Sequence, residues 1–306
     1  EPMIALILAA GAGTRIRPLS AERPKGLMPV LDLTPIHRHR AKLHQAGIDR
    51  VWVNSYLHTP SIEAAAHELT EGGMPTKVSV ETGVLGTAGA IHKLKEDLRE
   101  PFVVLNADIV TDLDLEALLR SHKESGALGT LAVVLGPRSD LQVSEGMVTD
   151  LGSEDMDRPG TTYCGVAVFD PEVVQMTSDE PAGLYEQIFV PLVSRGQMAA
   201  HAVDDYWRDI GTASSYLGAN LDALDGALAD EGLLRDSYRF RRWDHDAYVG
   251  EGASVDDCEL ERCVVGAGAQ LEPGTALRRC VVWPNTLVGK GDHADAVITP
   301  QQVVRI

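Results

Sequence analysis

The chain opens on an unbroken apolar run, Ile4 to Leu8, too short for a helix and bounded by glycines, which predicts a buried strand. Similar short runs follow at Val51 to Asn54, Lys77 to Val80, Phe102 to Leu105 and Thr130 to Leu135. Between them the apolar positions recur at helical spacing: Pro35 to Gly47, where Gly47 serves as C-cap, then Ser61 to Leu69, Gly89 to Leu98 and Leu115 to Ser125. Strands alternating with helices of this length predict parallel strands joined by right-handed crossovers. Ligands of such sheets sit at the carboxyl ends of the strands. Both the Gly11-Ala12-Gly13 turn and the Asn106-Ala107-Asp108 turn fall there.

The last sixty residues obey another period. Val249-Gly250-Glu251-Gly252, Val265-Gly266-Ala267-Gly268 and Val288-Gly289-Lys290-Gly291 recur, and Arg262-Cys263-Val264-Val265 returns seventeen residues later as Arg279-Cys280-Val281-Val282. The repeat resembles the hexapeptide coils of left-handed β-helices, about three of them, in which Cys263 and Cys280 stack in a buried ladder. The expected division is 3–225, a connector at 226–247, and the coil at 248–306.

Composition narrows the partners. The chain has 306 residues, 44% hydrophobic and 24% charged, enough for one α/β core and a second small unit. A net charge of −18 argues against nucleic acid and anionic membranes. From Met3 to Arg50, however, eight Lys/Arg face three Asp/Glu, a local +5 that leaves −23 for the rest. Cations concentrated beside a Gly-rich turn suit a small polyanion, although Arg38, Arg40 and Lys42 are expected only to solvate a helix face. No apolar stretch spans a bilayer, Met3 is a plausible initiator, and the four cysteines follow no metal-ligand spacing, so a cytoplasmic protein with reduced thiols is expected.

The candidate chemistry begins in the first loop. After Gly11 and Gly13, Thr14, Arg15 and Lys25 offer a hydroxyl and two cations to phosphate oxygens, in a pattern that is neither a P-loop nor a dinucleotide fingerprint. Asp108, ending an apolar strand, and Asp209, in Trp207-Arg208-Asp209-Ile210-Gly211-Thr212, are two carboxylates able to share one Mg²⁺. His37 and His39, two apart on a helix, point to different sides and are no metal pair. No His, Ser or Cys constellation suggests covalent catalysis.

The string from Leu8 to Val30, LAAGAGTRIRPLSAERPKGLMPV, resembles the N-terminal signature of the sugar-1-phosphate nucleotidylyltransferases, and Asp108 and Trp207 to Thr212 resemble that family's acidic elements. The resemblance implies a Rossmann-like α/β nucleotidyltransferase domain with a mixed, mainly parallel sheet, followed by a short C-terminal left-handed β-helix. It implies that a nucleoside triphosphate and a sugar 1-phosphate yield a nucleotide-sugar and pyrophosphate. Arg15, Lys25 and Asp108 would be catalytic, and Asp108 and Asp209 would be the Mg²⁺ ligands. Gly11, Gly13, Thr14, Arg15, Glu81, Leu85, Gly86 and Thr87 would bind the nucleotide, the last three reading the base through backbone groups. LGTAGA looks most like guanylyltransferases acting on mannose 1-phosphate or related sugars, with UTP or dTTP as the alternative.

Thr161 to Val166 resembles the sugar-side strand, which makes Gly165 a sugar contact. Glu186 is either a hydroxyl contact or a solvated helix acid. A Glu-Lys-Pro element common in the family is missing; Gly152 to Pro159 stands there, with Arg158 as the available cation. The rival class is a non-catalytic nucleotide-sugar sensor, whose mark would be degenerate metal acids. An acyltransferase role for the β-helix is disfavoured by its single histidine, His293, and the β-helix is expected to mediate homo-oligomer contact or regulation.

Overall fold

A computed structural model describes residues 3–136, 139–152, 160–228, 241–243 and 247–306. In chain order the elements are β1 (Ile4–Leu8), α1 (Leu19–Glu22), α2 (Pro35–Gln45), β2 (Arg50–Ser55), α3 (Thr59–Glu71), β3 (Thr76–Val80), α4 (Gly86–Lys93), β4 (Phe102–Asn106), β5 (Ile109–Thr111), α5 (Leu115–Ser125), β6 (Gly129–Gly136), β7 (Leu141–Ser144), β8 (Met147–Leu151) and β9 (Gly160–Phe169). They continue as α6 (Val190–Ser194), β10 (Met198–Ala202), β11 (Trp207–Asp209) and α7 (Ala213–Leu224). The last are β12 (Arg241–Trp243), β13 (Ala247–Val249), β14 (Glu259–Glu261), β15 (Cys263–Val265), β16 (Gln270–Leu271), β17 (Ala276–Val282), β18 (Leu287–Val288), β19 (Asp292–Ile298) and β20 (Val303–Arg305).

The chain forms two compact units. The first comprises Glu1–Ala12, Ile36–Ile109 and Leu113–Trp207; the second comprises Gly13–Pro35, Val110–Asp112 and Arg208–Ile306. Most of the Gly-rich loop therefore belongs with the C-terminal segment.

The first unit is built on a nine-stranded sheet in the order β3-β2-β1-β4-β9-β6-β10-β8-β7. The predicted alternation gives a parallel half: β1 pairs in parallel with β2 and β4, and β2 with β3. Ile4, Leu6 and Ile7 of β1 are almost wholly buried, as an apolar run covered on both faces must be. The sheet is mixed: beyond β4 its only parallel pair among the described strands is β6 with β10. The long strand β9 enters antiparallel between β4 and β6, so β6 is not the next parallel neighbour that the alternation implies. β9 is apolar along Val166 to Phe169, and Phe169 packs against Phe102 at 5.9 Å and Phe189 at 6.4 Å between ring centres, in the unit's main core. Helix α4 begins at Gly86, three residues before the expected start, so the LGTAG glycines and Thr87 lie in its first turns.

The second unit stacks short parallel strands at steps of sixteen or seventeen residues. Ala247 faces Cys263, Val264 faces Val281 and Cys280 faces Ala296, while Gln270 faces Leu287 on another side. Arg262, Arg279 and Asp295 precede the strand segments on successive rungs, each with a positive φ near 50°, so one left-handed corner recurs per rung. Cys263 and Cys280 are fully buried in the resulting core, and all four cysteines are free. Antiparallel strands close both ends, β12 on β13 and β20 on β19. No described helix is long and apolar enough to cross a membrane.

Candidate active site

In the first unit, three strand ends meet around Leu8. In the parallel ladders Leu8 lies opposite Asn54 on one side and Asn106 on the other, so the turn after β1 starts between two asparagines. Asn54 Oδ1 accepts the N–H of Ala9 at 2.6 Å and of Ala10 at 3.2 Å. Its Nδ2 donates to Glu81 Oε1 at 2.8 Å, and the Leu85 N–H lies 3.4 Å from Glu81 Oε2. Asn54 and Glu81 are 3% and 4% exposed. One buried pair therefore ties the Gly-rich turn to the loop that carries Leu85, Gly86 and Thr87, and Glu81 acts there as a brace.

That loop is clamped from its other side. Ala88 N–H donates to Ala182 O and Ala182 N–H to Leu85 O, both at 3.0 Å, and Leu184 N–H donates to Thr87 Oγ1 at 2.8 Å. Gly86 has φ +72°, and a Cβ there would lie 2.2 Å from Ala182 O, which is backbone and cannot turn aside. Gly11 differs: it is exposed and a Cβ would meet nothing within 4 Å. Gly86→Ala is therefore expected to destabilise the fold by about 2 kcal/mol, and Gly11→Ala by less than about 0.5 kcal/mol. Urea midpoints of the two variants, compared with the parent chain, check this.

Asp108 is half-buried just past β4, where Ala107 N–H donates to Leu8 O at 3.1 Å. His39 supports the same turn from α2: its Nε2–H donates to the Asn106 carbonyl at 3.2 Å, with the ring 1% exposed. Burial lowers the pKa of His39 to about 4, against the raising effect of the Asn106 carbonyl. The unfolded chain takes up this proton near pH 6.5 and the folded chain only near 4, so stability is lost as pH falls through that window, by on the order of 3 kcal/mol. Urea unfolding at pH 7 and pH 4.5 in metal-free buffer checks it: a His39→Gln chain should lose correspondingly less between the two. His37 points elsewhere, to Glu68 at 2.9 Å, in keeping with two residues on different sides of one helix. Arg38 does not solvate a helix face as expected; it is 3% exposed.

Gly165 has φ +84°, and a Cβ there would lie 2.9 Å from Asn106 Nδ2. The space its missing side chain leaves is thus taken by Asn106, and β9 approaches the Asp108 turn closely for that reason. The indole N–H of Trp207 donates to the neighbouring Cys164 carbonyl at 2.6 Å. Glu186 is exposed, in a π-helical turn over Tyr185–Phe189, one residue past the Ala182 to Leu184 clamp that continues into it.

In the second unit the rest of the Gly-rich loop meets the segment from Arg208 to Thr212. Gly13 has φ +60° and packs on Ser20, whose hydroxyl donates to Gly13 O at 2.7 Å. The Lys25 stem runs past the same glycine, 3.5 Å from where a Cβ would stand. Gly211 faces both Arg15 and Asp209: its missing Cβ position is 3.1 Å from Arg15 Nη2 and 2.5 Å from Asp209 Oδ1. Asp209 Oδ1 accepts the Gly211 N–H, and Thr212 caps α7 by accepting the Ser215 N–H at 3.1 Å. Thr14 and Arg15 are exposed. A cation, a carboxylate and a bare glycine thus share one surface, as recognition of a phosphate with its counter-ion requires.

Of the residues singled out in the sequence, Gly11, Glu81, Leu85, Gly86, Thr87, Asp108, Gly165 and Glu186 belong to the first unit, and Gly13, Thr14, Arg15, Lys25 and Asp209 to the second. Arg158 lies outside the described residues. The supporting roles of Asn54, Asn106 and His39 were not read from the sequence; a polar residue closing an apolar strand, as Asn54 and Asn106 both do, was the available signal. Among the described residues no three His, Cys, Asp or Glu cluster as a metal site. Asp108 in the first unit and Asp209 in the second are each a hard oxygen donor of the kind Mg²⁺ takes.

Residues 4–149 match the family model described as Nucleotidyl transferase. The chain is 28% identical over 298 residues to mannose-1-phosphate guanylyltransferase of Mycobacterium tuberculosis, covering 94% of this chain and 81% of that protein. It is 29% identical over 321 residues to UTP–glucose-1-phosphate uridylyltransferase of Synechocystis sp., covering 96% and 81%. A solved structure of a putative glucose-1-phosphate thymidylyltransferase from Bacillus anthracis superposes with a TM-score of 0.64 at 18% identity, over 71% of this chain and 94% of that one, which supports the mixed α/β fold. Residues 4–149 are thus a nucleotidyl transferase domain, in a chain whose relatives are named sugar-1-phosphate guanylyl- and uridylyltransferases.

Proposed function

We propose that this nucleotidylyltransferase takes GTP and mannose 1-phosphate, or a closely related sugar 1-phosphate, and releases GDP-sugar and pyrophosphate. The observation that carries the transfer chemistry is the meeting of Arg15 with Asp209 across bare Gly211, which puts a bidentate cation beside a metal-type carboxylate. The guanine and mannose preference rests on the LGTAGA string and the guanylyltransferase relative; the uridylyltransferase relative supports UTP as the second reading. The sensor reading requires degraded metal acids, and this chain keeps Asp108 and Asp209.

No protein nucleophile is needed, because the attacking sugar phosphate is already an anion and displaces pyrophosphate in line at the α-phosphorus. The chain's work is to hold two polyanions in that line and to offset their charge. Arg15 grips the β/γ-phosphates through its planar fork, Lys25 offsets charge at the reacting phosphates, and the open backbone of Gly11, Gly13 and Thr14 admits the triphosphate. Leu85, Gly86 and Thr87 present backbone groups to the base, with Glu81 fixing their loop, and Gly165 and Glu186 line the sugar side. Asp108 and Asp209 would hold Mg²⁺, which when bound neutralises and orients the phosphate oxygens.

Residues 3–225 then act as the transferase domain and 248–306 as a left-handed β-helix that joins copies of the chain in a cytoplasmic homo-oligomer. Pyrophosphate release with each nucleotide and sugar phosphate tests the reaction, and a strictly monomeric protein in sedimentation would overturn the assembly.

A further inference from the structure

Within the second unit the loop from Leu19 to Leu33 is tied to α7 and to the C-terminal stack at one residue after another, and none of these ties involves a residue of the phosphate grip itself. Glu22 Oε1 accepts the Thr299 hydroxyl at 2.7 Å and Gln302 Nε2 at 2.6 Å. The Arg23 guanidinium lies over the Trp283 ring, 5.3 Å from its centre. The buried Trp283 indole N–H donates to the Tyr216 hydroxyl at 3.0 Å, and that hydroxyl donates onward to the Pro29 carbonyl. Leu31 is held in the left-handed region, φ 56°, with its N–H on Asn220 Oδ1 at 2.9 Å. Asp32 then reaches both a turn and a strand of the stack: Oδ1 takes the Ala267 N–H, between β15 and β16, at 2.9 Å, and Oδ2 the hydroxyl of Tyr248 in β13 at 2.7 Å.

The chemistry of these ties exceeds what packing a loop would require. A bulky residue with positive φ is strained and persists only where its surroundings impose it. Burial pushes the Asp32 carboxyl upward, and the Tyr248 and Ala267 donors pull it back. Trp283 also breaks the repeat. Val265 is followed by Gly266, whereas the equivalent Val282 is followed by Trp283, so the one large ring in the series stands where the loop lies against it.

We propose that the C-terminal stack holds the Arg15 to Lys25 loop in its working shape through Asp32 and the Trp283–Tyr216 pair, which makes these positioning residues for the transfer reaction. The stack is in this sense part of the machinery of phosphate gripping, in addition to any contact it makes with other copies. The inference rests on the function proposed above, so the test reads both activity and the loop directly.

Asp32→Ala and Asp32→Asn are compared in the full-length chain. Asparagine can still accept from Ala267 and donate to the Tyr248 oxygen; alanine can do neither. With the most active nucleotide and sugar phosphate pair, Asp32→Ala should lower kcat roughly 10- to 100-fold, the usual effect of a small misplacement of a catalytic group, and Asp32→Asn should recover most of it. In substrate-free protein, amides from Arg23 to Leu33 should exchange at least about tenfold faster in Asp32→Ala while those of β1 to β4 keep their rates. Unchanged kcat with unchanged loop exchange would overturn the proposal, and so would faster exchange spread evenly over the chain with kcat intact. Should Asp32→Ala fail to fold, Tyr248→Phe, which removes only the hydroxyl that donates to Asp32, is read the same way. If the parent chain releases no pyrophosphate with any pair, the proposed function fails, and the exchange pattern alone decides whether the stack holds the loop.

Discussion

Asp108→Asn is expected to lower turnover by about 10³-fold or more while leaving the fold intact. Asparagine keeps the shape of the side chain and loses the charge that offsets the cation. The turn itself does not depend on that charge, because Ala107 N–H on Leu8 O and the His39 bond to Asn106 O hold its backbone. Pyrophosphate release at saturating substrates and a thermal melt, run on the same preparation, separate the two effects. A melting temperature within a few degrees of the parent chain, combined with near-normal turnover, would remove Asp108 from the reaction.

Arg15→Ala should be the next most damaging change, with kcat/KM reduced about 10²- to 10³-fold. Arg15 is exposed and its guanidinium lies against a glycine, so its removal leaves no cavity and stability should stay within about 0.5 kcal/mol. Arg15→Lys is the informative companion. It keeps a positive charge and loses the planar fork, so a recovery of less than about tenfold over alanine would indicate that two-point contact with phosphate matters more than charge alone. Recovery to the level of the parent chain would show that Arg15 acts as a point charge.

Much of the first unit was legible because its strands are continuous apolar runs. Ile4 to Leu8 and Phe102 to Leu105 could only be buried on both faces, and a polar or glycine-rich segment after each had to lie at a strand end. The position of β9 was not legible. An alternating series of strands and helices predicts one parallel neighbour after another, and nothing local in Gly160 to Phe169 states that it will intrude antiparallel between β4 and β6. The same limit applies to the burial of Arg38, which its helical neighbours gave no reason to expect.

The candidate site shows a similar division. Arg15, Lys25, Asp108 and Asp209 were found because phosphate and metal chemistry restricts the residue types that can serve. Their supports were missed because a hydrogen bond from Asn54 to Glu81, or from the Ala267 N–H to Asp32, has no period and leaves no pattern along the chain. The exception is Trp283, which departs from its own repeat and so carried a signal that a comparison of rungs would have revealed. The C-terminal repeat was legible in its step, since Cys263 and Cys280 do stack, but its bearing on the Gly-rich loop was not.

The most direct test of the central claim is pyrophosphate release in the presence of Mg²⁺, crossing GTP, UTP, dTTP, ATP and CTP against mannose, glucose and N-acetylated sugar 1-phosphates. Release that requires both a nucleotide and a sugar 1-phosphate, strongest with GTP and mannose 1-phosphate, is the predicted result. Absence of release from every pair, with a nucleotide-sugar still bound by the protein, would contradict the account and leave a sensor in its place.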